Sequence, residues 1–338
     1  MIRVIATLCC MFGAISAASS ADCPGNPNAL GTSRVISIDS TEHARLGRMQ
    51  YAETLPLADK EIVLTFDDGP LPPYTDRILD ILASECVKAT YFIVGSMARA
   101  YPDVLRRIYA EGHTIGTHSQ NHPMTFNLMP LERVQNEIEQ GIATTAVALG
   151  NRNAVAPFFR IPGLARSTSV ETYLHDRSLV TWSADFLADD WKRIQASEVL
   201  SRALSRIEAK GKGILLLHDI HQVTVLALPP LLRELKARGY RIVHVVPASL
   251  DQPKTASASA DWVPVGNRRA LPIVNSASAR PSIAFPRAMA ATSTEPVSHP
   301  NASALGRAIP IRMIKKCGRA IEWHQLMDVA AELQYCQD

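Results

Sequence analysis

A strand and two acids stand together in the stretch IVLTFDDGP, residues 62–70. The apolar run at its start predicts a buried strand, and Asp67 and Asp68 follow that strand almost directly. Burying a charge costs several kcal/mol unless a metal, a cation or a hydrogen-bond donor compensates it. The two carboxylates therefore need partners, and the rest of the chain has to supply them.

Short apolar runs alternate with amphipathic stretches from residue 61 to residue 246. The runs predict strands at residues 62–66, 89–94, 113–116, 158–161, 179–182, 213–217 and 241–246. The stretches predict helices at residues 74–85, 101–110, 228–237 and from Pro130 to a stop at Gly150. This β-α rhythm is typical of a parallel sheet covered by helices. The number of units fits a barrel, with an open doubly wound sheet as the alternative.

Polar residues cluster just after the predicted strands. They are Asp67, Asp68, His118, Arg160, the acids of residues 185–190, and His218. In a β/α barrel the carboxyl ends of the strands converge on one face, where catalysis takes place. We therefore expect these distant segments to form a single site.

His118 and His122 are spaced i, i+4 in the run GTHSQNHP, residues 116–123. On one helical turn both imidazoles would share a face and bind one metal ion, with one of the two acids as a third ligand. Two imidazoles and a carboxylate suit zinc and leave a coordination position for water. Two surface histidines on a helix are one alternative, and an iron oxygenase is another use of the same ligand types.

Two adjacent acids need different roles, because neighbours on an extended chain point in different directions. We expect one to bind the metal and the other to act as a general base, with Arg160 as the cation that orients it. His218 follows the apolar strand GILLL and is a candidate acid, with a structural histidine as the alternative. Asp219 and the acids of DDW, residues 189–191, are candidate partners for its imidazole.

The composition of the 338 residues, 47% hydrophobic and 20% charged with a formal net charge of +3, allows a sizeable core. No dense Lys/Arg stripe is present, so nucleic acid is not an expected partner. Arg3, the apolar run 4–14 and the small residues up to Ala21 predict a Sec-type signal peptide, residues 1–21, and a periplasmic or secreted protein. We expect no integral membrane span, and the sequence does not indicate the oligomeric state.

Four cysteines remain after the predicted cleavage, an even number that suits an oxidising compartment. Three pairings are open, and we favour Cys23–Cys86 with Cys317–Cys336. Composition divides the rest of the chain into a catalytic domain, residues 22–250, a flexible linker rich in Pro, Ser, Ala and Thr, residues 251–309, and a small segment with a candidate disulfide staple, residues 310–338.

Five motifs resemble, in this order, the NodB-homology polysaccharide deacetylases, carbohydrate esterase family four. They are TFDDGP at 65–70, HSQNH at 118–122, RIPG at 160–163, DFLADDW at 185–191 and ILLLHD at 214–219. The resemblance covers residues 60–246 and implies an α/β fold, a distorted (β/α) barrel, to which composition adds a largely irregular C-terminal extension. It also implies a divalent metal, zinc in the first place and cobalt as an alternative.

The resemblance implies three metal ligands: Asp68, His118 and His122. It implies four catalytic residues: Asp67 as the base, Arg160 as its partner, His218 as the acid and Asp190 as the acid's partner. Trp191 and Leu216 resemble residues that line the acetyl pocket. Gly163 departs from the family, which commonly has an aromatic residue after the proline of RIPG, although its N–H remains a candidate donor to an oxyanion. The DFLADDW motif also departs from the family, because two acids stand together in it at a longer spacing from the first. Three residues are therefore candidates for the acid that pairs with His218: Asp185, Asp189 and Asp190.

The resemblance implies a metal-dependent hydrolase that removes N-acetyl groups from a polysaccharide or oligosaccharide, such as peptidoglycan, a chitin-like chain or an exopolysaccharide. Asp67 would take a proton from water, and His218 would protonate the departing amine, which is a poor leaving group without that proton. Two alternatives stay open: an O-acetyl esterase acting on xylan-like plant glycans, and a non-catalytic glycan-binding barrel.

Overall fold

The computed structural model describes residues 23–263. The predicted signal peptide, the linker beyond residue 263, the 310–338 segment and the Cys317–Cys336 pair lie outside these residues. The described strands are β1 (Thr32–Ile38), β2 (Arg45–Leu46), β3 (Glu61–Asp67), β4 (Thr90–Ile93), β5 (Thr114–Thr117), β6 (Val155–Arg160), β7 (Val180–Trp182), β8 (Phe186–Leu187), β9 (Gly213–His218) and β10 (Arg241–Pro247).

The described helices are α1 (Tyr74–Ser84), α2 (Gly95–Ala100), α3 (Pro102–Ala110), α4 (Leu131–Leu149), α5 (Thr168–Asp176), α6 (Ala196–Lys210), α7 (Gln222–Ala237) and α8 (Ser259–Trp262). As the sequence predicts, α4 follows Pro130 and ends at Gly150, whose φ of 66° is the left-handed conformation that glycine adopts without strain. Within residues 23–263, none of the helices has the length and apolar character that crossing a membrane requires.

The strands form one sheet in the order β1-β10-β3-β4-β5-β6-β7-β2, and β9 joins it by pairing with β3 and β8. Every pairing is parallel. The sheet is irregular because β3 pairs with β10 near its start, with β4 near its end and with β9 along its length. The predicted α/β class with a distorted parallel barrel is confirmed.

Successive residues of each strand face opposite sides of the sheet. Leu64 and Phe66 of β3 pack with residues of α1 and α7 in one hydrophobic cluster. Val63, Phe158 and Trp182, from three different strands, form a second cluster on the inner face. Asp67 has the same parity as Val63 along β3, and Arg160 has the same parity as Phe158 along β6, so both charges lie at the carboxyl end of the inner face.

Several elements are missing from the pattern-based prediction. The strands β1, β2 and β8 and the helices α2, α5, α6 and α8 are all additional. Two of these strands have only two residues, which is too short for a periodic signal. The helix α7 begins at Gln222, so the predicted start at residue 228 is too late. The prediction is late because Pro229 and Pro230 lie inside the helix, and proline normally indicates a helix boundary.

Residues 251–263 pack against the domain, although composition assigns them to the flexible linker. The N–H of Thr255 donates to the carbonyl of Ser37 (2.9 Å). Trp262 is buried in the inner cluster, and its indole stacks on His43 with the ring centroids 3.4 Å apart. One aromatic side chain thus anchors a segment whose average composition predicts no packing. At the other end of the described chain, the Cys23–Cys86 disulfide is present, which confirms one of the two favoured pairs.

Candidate active site

The two adjacent acids point in different directions because the backbone changes conformation between them. Asp67 is the last residue of β3 and continues its extended course. Asp68 has a φ of 78°, which lies in the left-handed region that non-glycine residues rarely adopt. The carboxylate of Asp68 therefore leaves the direction of the strand, and each acid meets a different set of neighbours.

A third carboxylate holds this turn. Asp219 accepts hydrogen bonds from the N–H of Gly69 (3.0 Å) and from the hydroxyl of Thr75 (2.7 Å). Burial first, and then the nearby Asp68 carboxylate, raise the pKa of Asp219 to about 7 although Thr75 opposes the change. Asp219 is one of the candidate partners that the sequence offers for the His218 imidazole, but its described hydrogen bonds go to the turn after β3 instead.

Asp68, His118 and His122 converge on one point. Oδ1 of Asp68 lies 3.4 Å from Nε2 of His118 and 3.2 Å from Nε2 of His122. One ligand atom from each of the three residues lies within 4.8 Å of the other two. The structure therefore brings together the three residues that the sequence proposes as metal ligands.

The two histidines lie on a loop, so the predicted helical turn is wrong. The strand β5 ends at Thr117, and residues 118–125 contain no helix. Ser119 and His122 have φ values of 67° and 54°, which no right-handed helix contains. The loop folds back on itself, and the N–H of His122 donates to Oγ of Ser119 (2.9 Å), so that the two imidazole centroids lie 4.8 Å apart.

The donor atoms of these residues fit a divalent cation. The Nδ1–H of His118 donates to the carbonyl of Arg160 (2.6 Å), which leaves the Nε2 lone pair free on the side of Asp68. Among the described residues, Oδ1 of Asp68 and Nδ1 of His122 are buried without a hydrogen-bond partner. Buried polar atoms without a partner are rare, and a cation at this point would satisfy the carboxylate oxygen.

The protonation states of the ligands agree with metal binding. Burial lowers the pKa of His118 to about 4, so its imidazole is neutral near pH 7. Burial acts against the charged form of Asp68, but the surrounding histidines, His122 first, outweigh it and lower the pKa of that carboxyl to about 2. A neutral imidazole and an ionised carboxylate are the forms that bind metal ions.

Asp67 forms a buried ion pair with Arg160 beside these ligands. Nη1 of Arg160 donates to Oδ1 of Asp67 (2.6 Å) and to the hydroxyl of Thr65 (2.8 Å), and Nη2 donates to the carbonyl of Ser183 (2.9 Å). The guanidinium also lies over the ring of Phe92, 4.2 Å from its centroid. Oδ2 of Asp67 remains on the side of the ligands, 3.9 Å from Nε2 of His118.

His218 lies near Asp68 and pairs with Asp190. Its Nδ1–H donates to Oδ1 of Asp190 (2.8 Å), and its own N–H donates to Oδ2 (2.7 Å). The hydroxyl of Thr224 also donates to Oδ2 (2.7 Å). Burial lowers the pKa of His218, but the charge and hydrogen bond of Asp190, together with the Asp68 and Asp67 charges, outweigh burial and raise the pKa to about 10. Nε2, which then carries a proton, lies 4.0 Å from Oδ2 of Asp68.

The two other acids of the DFLADDW motif do not contact His218 among their described hydrogen bonds. Asp185 accepts from the backbone N–H of Arg48 (2.8 Å) and from Thr54 (2.9 Å), so it joins segments of the fold. Asp189 accepts from Arg202 (2.5 Å) and Arg206 (2.8 Å) at the surface of α6. Of the three candidates, the structure brings only Asp190 to the imidazole.

The predicted pocket residues surround the site unevenly. Trp191 is 42% exposed, and its ring meets the imidazole of His218 edge-on with centroids 5.6 Å apart. Leu216 is buried on β9 two positions before His218, and therefore on the same side of the strand. Gly163 has a φ of 58°, and the methyl group of Met124 lies 3.2 Å from where a Cβ would be. Met124 thus fills space that a side chain at position 163 would need.

Sequence reasoning missed several residues that shape the site. Each of them binds a candidate catalytic residue or the loop of residues 118–125, called here the histidine loop. They are Thr65, Ser183, Thr224 and Glu137. The parity of Thr65 with Asp67 along β3 could have identified it. The other three carry no comparable signal, because they resemble ordinary loop or helix-surface residues.

Comparisons with known proteins give a consistent result. A family model described as polysaccharide deacetylase matches residues 55–181. Peptidoglycan-N-acetylglucosamine deacetylase PgdA of Listeria monocytogenes is 32% identical over 187 residues, which are 55% of this chain and 38% of that protein. Chitooligosaccharide deacetylase of Sinorhizobium fredii is 30% identical over 213 residues, which are 58% of this chain and 96% of that protein.

Among solved structures, the peptidoglycan deacetylase Bd3279 of Bdellovibrio bacteriovorus is similar, with a TM-score of 0.58 and 32% sequence identity. The match covers 64% of this chain and 60% of that chain. This chain therefore spans well under half the length of the Listeria relative and less than two thirds of the Bdellovibrio structure.

Proposed function

Since the chain belongs to the polysaccharide deacetylase family, we propose that it is a hydrolase that removes N-acetyl groups from glycans containing N-acetylglucosamine. Peptidoglycan is the first candidate substrate and chitooligosaccharides are the second, since relatives of both descriptions are similar to this chain. We also propose that residues 22–250 form the catalytic domain and that the protein is exported. The Cys23–Cys86 disulfide supports export, because disulfides persist in oxidising compartments.

Asp68, His118 and His122 would hold the divalent cation. Two imidazole nitrogens and a carboxylate oxygen suit zinc, and cobalt accepts the same donors. When bound, such a cation supplies Lewis acidity for the acetyl carbonyl and lowers the pKa of water at the site. The buried Asp68 oxygen without a hydrogen-bond partner supports this assignment.

Asp67 is the proposed general base. Its Oδ1 is held by Arg160, which fixes the direction of the carboxylate. Its Oδ2 lies on the side of the ligand set and is available to take a proton from the attacking water. Arg160 itself is held in place, because Nη1 also donates to the hydroxyl of Thr65 and Nη2 donates to the carbonyl of Ser183. The base is thus oriented before substrate arrives, which is what general-base catalysis needs.

His218 is the proposed general acid. With Nδ1–H bound to Asp190 and a pKa raised to about 10, the imidazole is doubly protonated at neutral pH. Nε2–H is then available to protonate the departing amine, which an amide cannot release as an anion. Trp191 and Leu216 would line the acetyl pocket, and the N–H of Gly163 would contact the oxyanion.

One observation carries the proposal: a carboxylate oriented by Arg160 and an imidazole oriented by Asp190 both lie within 4.0 Å of the same Asp-His-His set. Oδ2 of Asp67 is 3.9 Å from Nε2 of His118, and Nε2 of His218 is 4.0 Å from Oδ2 of Asp68. A glycan-binding barrel has no need of a base and an acid at these positions. Hydrolysis of an acetamide needs both.

Acetate release tests the proposal. The purified protein with zinc is expected to release acetate from peptidoglycan or chitooligosaccharides and to lose that activity on chelation. Asp67→Asn is expected to keep its metal content but to lose about 100-fold or more in turnover, the range for a general base. Asp103→Asn is the control, because that side chain is 92% exposed in a surface ion pair.

Each other outcome points to a different function. Undiminished turnover in Asp67→Asn would contradict the role of the base. Acetate release from acetylated xylan without any from N-acetylated glycans would favour the O-acetyl esterase. Glycan binding without acetate release from any of these substrates would favour the non-catalytic barrel.

A further inference from the structure

A single carboxylate fastens the histidine loop to α4. Oε2 of Glu137 accepts hydrogen bonds from the backbone N–H groups of Gln120 (3.1 Å) and Asn121 (2.8 Å). Oε1 of Glu137 accepts another from the side-chain amide of Asn121 (2.9 Å). Both backbone groups belong to residues between His118 and His122. Glu137 therefore binds the segment that sets the spacing of the two imidazoles.

The loop needs such support because its backbone is unfavourable by itself. Ser119 and His122 are non-glycine residues in the left-handed region, which costs free energy at each position. Strained conformations of this kind persist only where the surrounding structure over-determines them. A loop free to relax would leave the left-handed region and would move His122 away from Asp68.

The loop is held on its carbonyl side by a different element. The carbonyls of Ser119 and Gln120 accept from the N–H groups of Gly95 (2.9 Å) and Ser96 (2.8 Å) at the start of α2. On the N–H side, the hydrogen bonds of Gln120 and Asn121 go to Glu137. The two sets of bonds act on opposite edges of the same backbone, so neither replaces the other.

The face of α4 that carries Glu137 is shaped for this contact. Gly141 lies four residues further on, and therefore on the same face of the helix. A Cβ at Gly141 would lie 2.6 Å from the carbonyl carbon of Ser119, so only glycine lets the loop come this close. This face of α4 therefore contacts the loop in two ways: its backbone packs closely on the loop at Gly141, and the carboxylate of Glu137 accepts hydrogen bonds from the loop.

We propose that Glu137 is a positioning residue for the metal site. It acts through the backbone of Gln120 and Asn121 and fixes the distance between the two imidazole ligands. The inference rests on the proposed function, because it assumes that Asp68, His118 and His122 hold a metal ion. Residues that orient metal ligands in this way typically change metal affinity by about 10–100-fold when they are replaced.

Metal affinity measured by competition titration of zinc into the metal-free full chain tests this role. Glu137→Ala is expected to bind zinc about 10–100-fold more weakly than the wild type. Glu139→Ala is the matched control, because Glu139 lies on the same helix and accepts three hydrogen bonds from Tyr173 and Arg177 instead of the loop. It removes the same charge and is expected to leave zinc affinity unchanged.

Two further variants separate positioning from charge and from folding. Glu137→Gln keeps an oxygen that can accept from both N–H groups and is expected to recover most of the affinity. Glu137→Asp is one methylene shorter, so it is expected to lose affinity, and it serves as the test if Glu137→Ala does not fold. The melting temperature of each metal-free variant is measured in parallel, because a merely structural role lowers it without changing the affinity of the folded protein.

The inference is overturned if Glu137→Ala, or Glu137→Asp in its place, binds zinc as tightly as the wild type. It is equally overturned if Glu139→Ala loses as much affinity. Failure of the proposed function is recognised separately. A wild-type chain that binds zinc and releases no acetate contradicts the deacetylase activity, whereas the comparison of zinc affinities between variants still decides the role of Glu137.

Discussion

Breaking the buried ion pair between Arg160 and Asp67 is expected to lower the free energy of unfolding strongly. The exposed fraction of the two side chains is 0% and 3%, and the charged atoms lie 2.6 Å apart. Replacing Arg160 by Met keeps an unbranched side chain of similar length but leaves the Asp67 carboxylate buried and unpaired. Breaking a buried pair in this way costs about 3–5 kcal/mol, because the remaining charge has lost both water and its partner.

The double variant distinguishes the lost pair from lost packing. In Arg160→Met/Asp67→Asn neither member of the pair is left as an unpaired buried charge, so the free energy of unfolding is expected to recover part of the loss. Replacing both members of a buried pair by uncharged residues is often close to neutral. The two single variants together should therefore lose more unfolding free energy than the double variant does. The difference, which is the coupling energy between the two side chains, should reach about 2 kcal/mol or more.

Urea unfolding followed by tryptophan fluorescence, in the presence of a chelator, gives the free energies. Chelation matters because a bound cation near Asp67 would compensate the missing guanidinium. Arg177→Met is the control: its pair with Glu139 has a similar distance, 2.7 Å, but the side chains are 49% and 39% exposed. That variant is expected to lose under about 1 kcal/mol. A loss below about 1 kcal/mol for Arg160→Met, or strict additivity in the cycle, would refute the reasoning.

Two further predictions concern His218 and the disulfide. Asp190→Asn removes a charge that raises the pKa of His218, so that pKa is expected to fall. Because the acid must be protonated to act, the high-pH limb of the kcat/KM profile is then expected to move to lower pH by about 1–3 units. A profile identical to the wild type would contradict the assignment of the acid. Cys23→Ser/Cys86→Ser opens a link between residues 63 apart, for which chain entropy gives about 4 kcal/mol as an upper figure. We expect denaturant unfolding to register a loss of about 2–4 kcal/mol, and an unchanged midpoint would show that the link contributes nothing.

The sequence predicts well where the main strands lie and which polar residues come together at their ends, because both depend on simple periodicity. Strands buried on both faces give continuous apolar runs, and a parallel sheet brings their carboxyl ends to one edge. The pattern alone therefore predicts that the polar residues after β3, β5, β6 and β9 belong to one site. The short strands and Trp262 give no periodic signal, so their places in the fold become visible only in three dimensions.

The histidine loop shows why spacing alone is an incomplete guide. An i, i+4 pair brings two imidazoles together on a helix, and the spacing of His118 and His122 predicts that arrangement. Here the same two residues meet across a loop in which Ser119 and His122 are left-handed. That conformation is stabilised by Glu137, which is distant in sequence and looks like any glutamate on a helix surface. The structure thus brings the predicted ligands together, although the local structure predicted for them is wrong.

The different directions of the two adjacent carboxylates depend on a third acid. Asp68 can turn away from Asp67 only because its backbone is left-handed, and the next N–H, that of Gly69, is held by the Asp219 carboxylate. A Cβ at Gly69 would lie 2.0 Å from Oδ2 of Asp219, so this carboxylate occupies the place of the missing side chain. Since Thr75 binds the same oxygen at 2.7 Å, Asp219 cannot swing aside without losing a buried hydrogen bond. The glycine after the two acids and the aspartate after His218 therefore act as one unit, and that unit separates the proposed metal ligand from the proposed base.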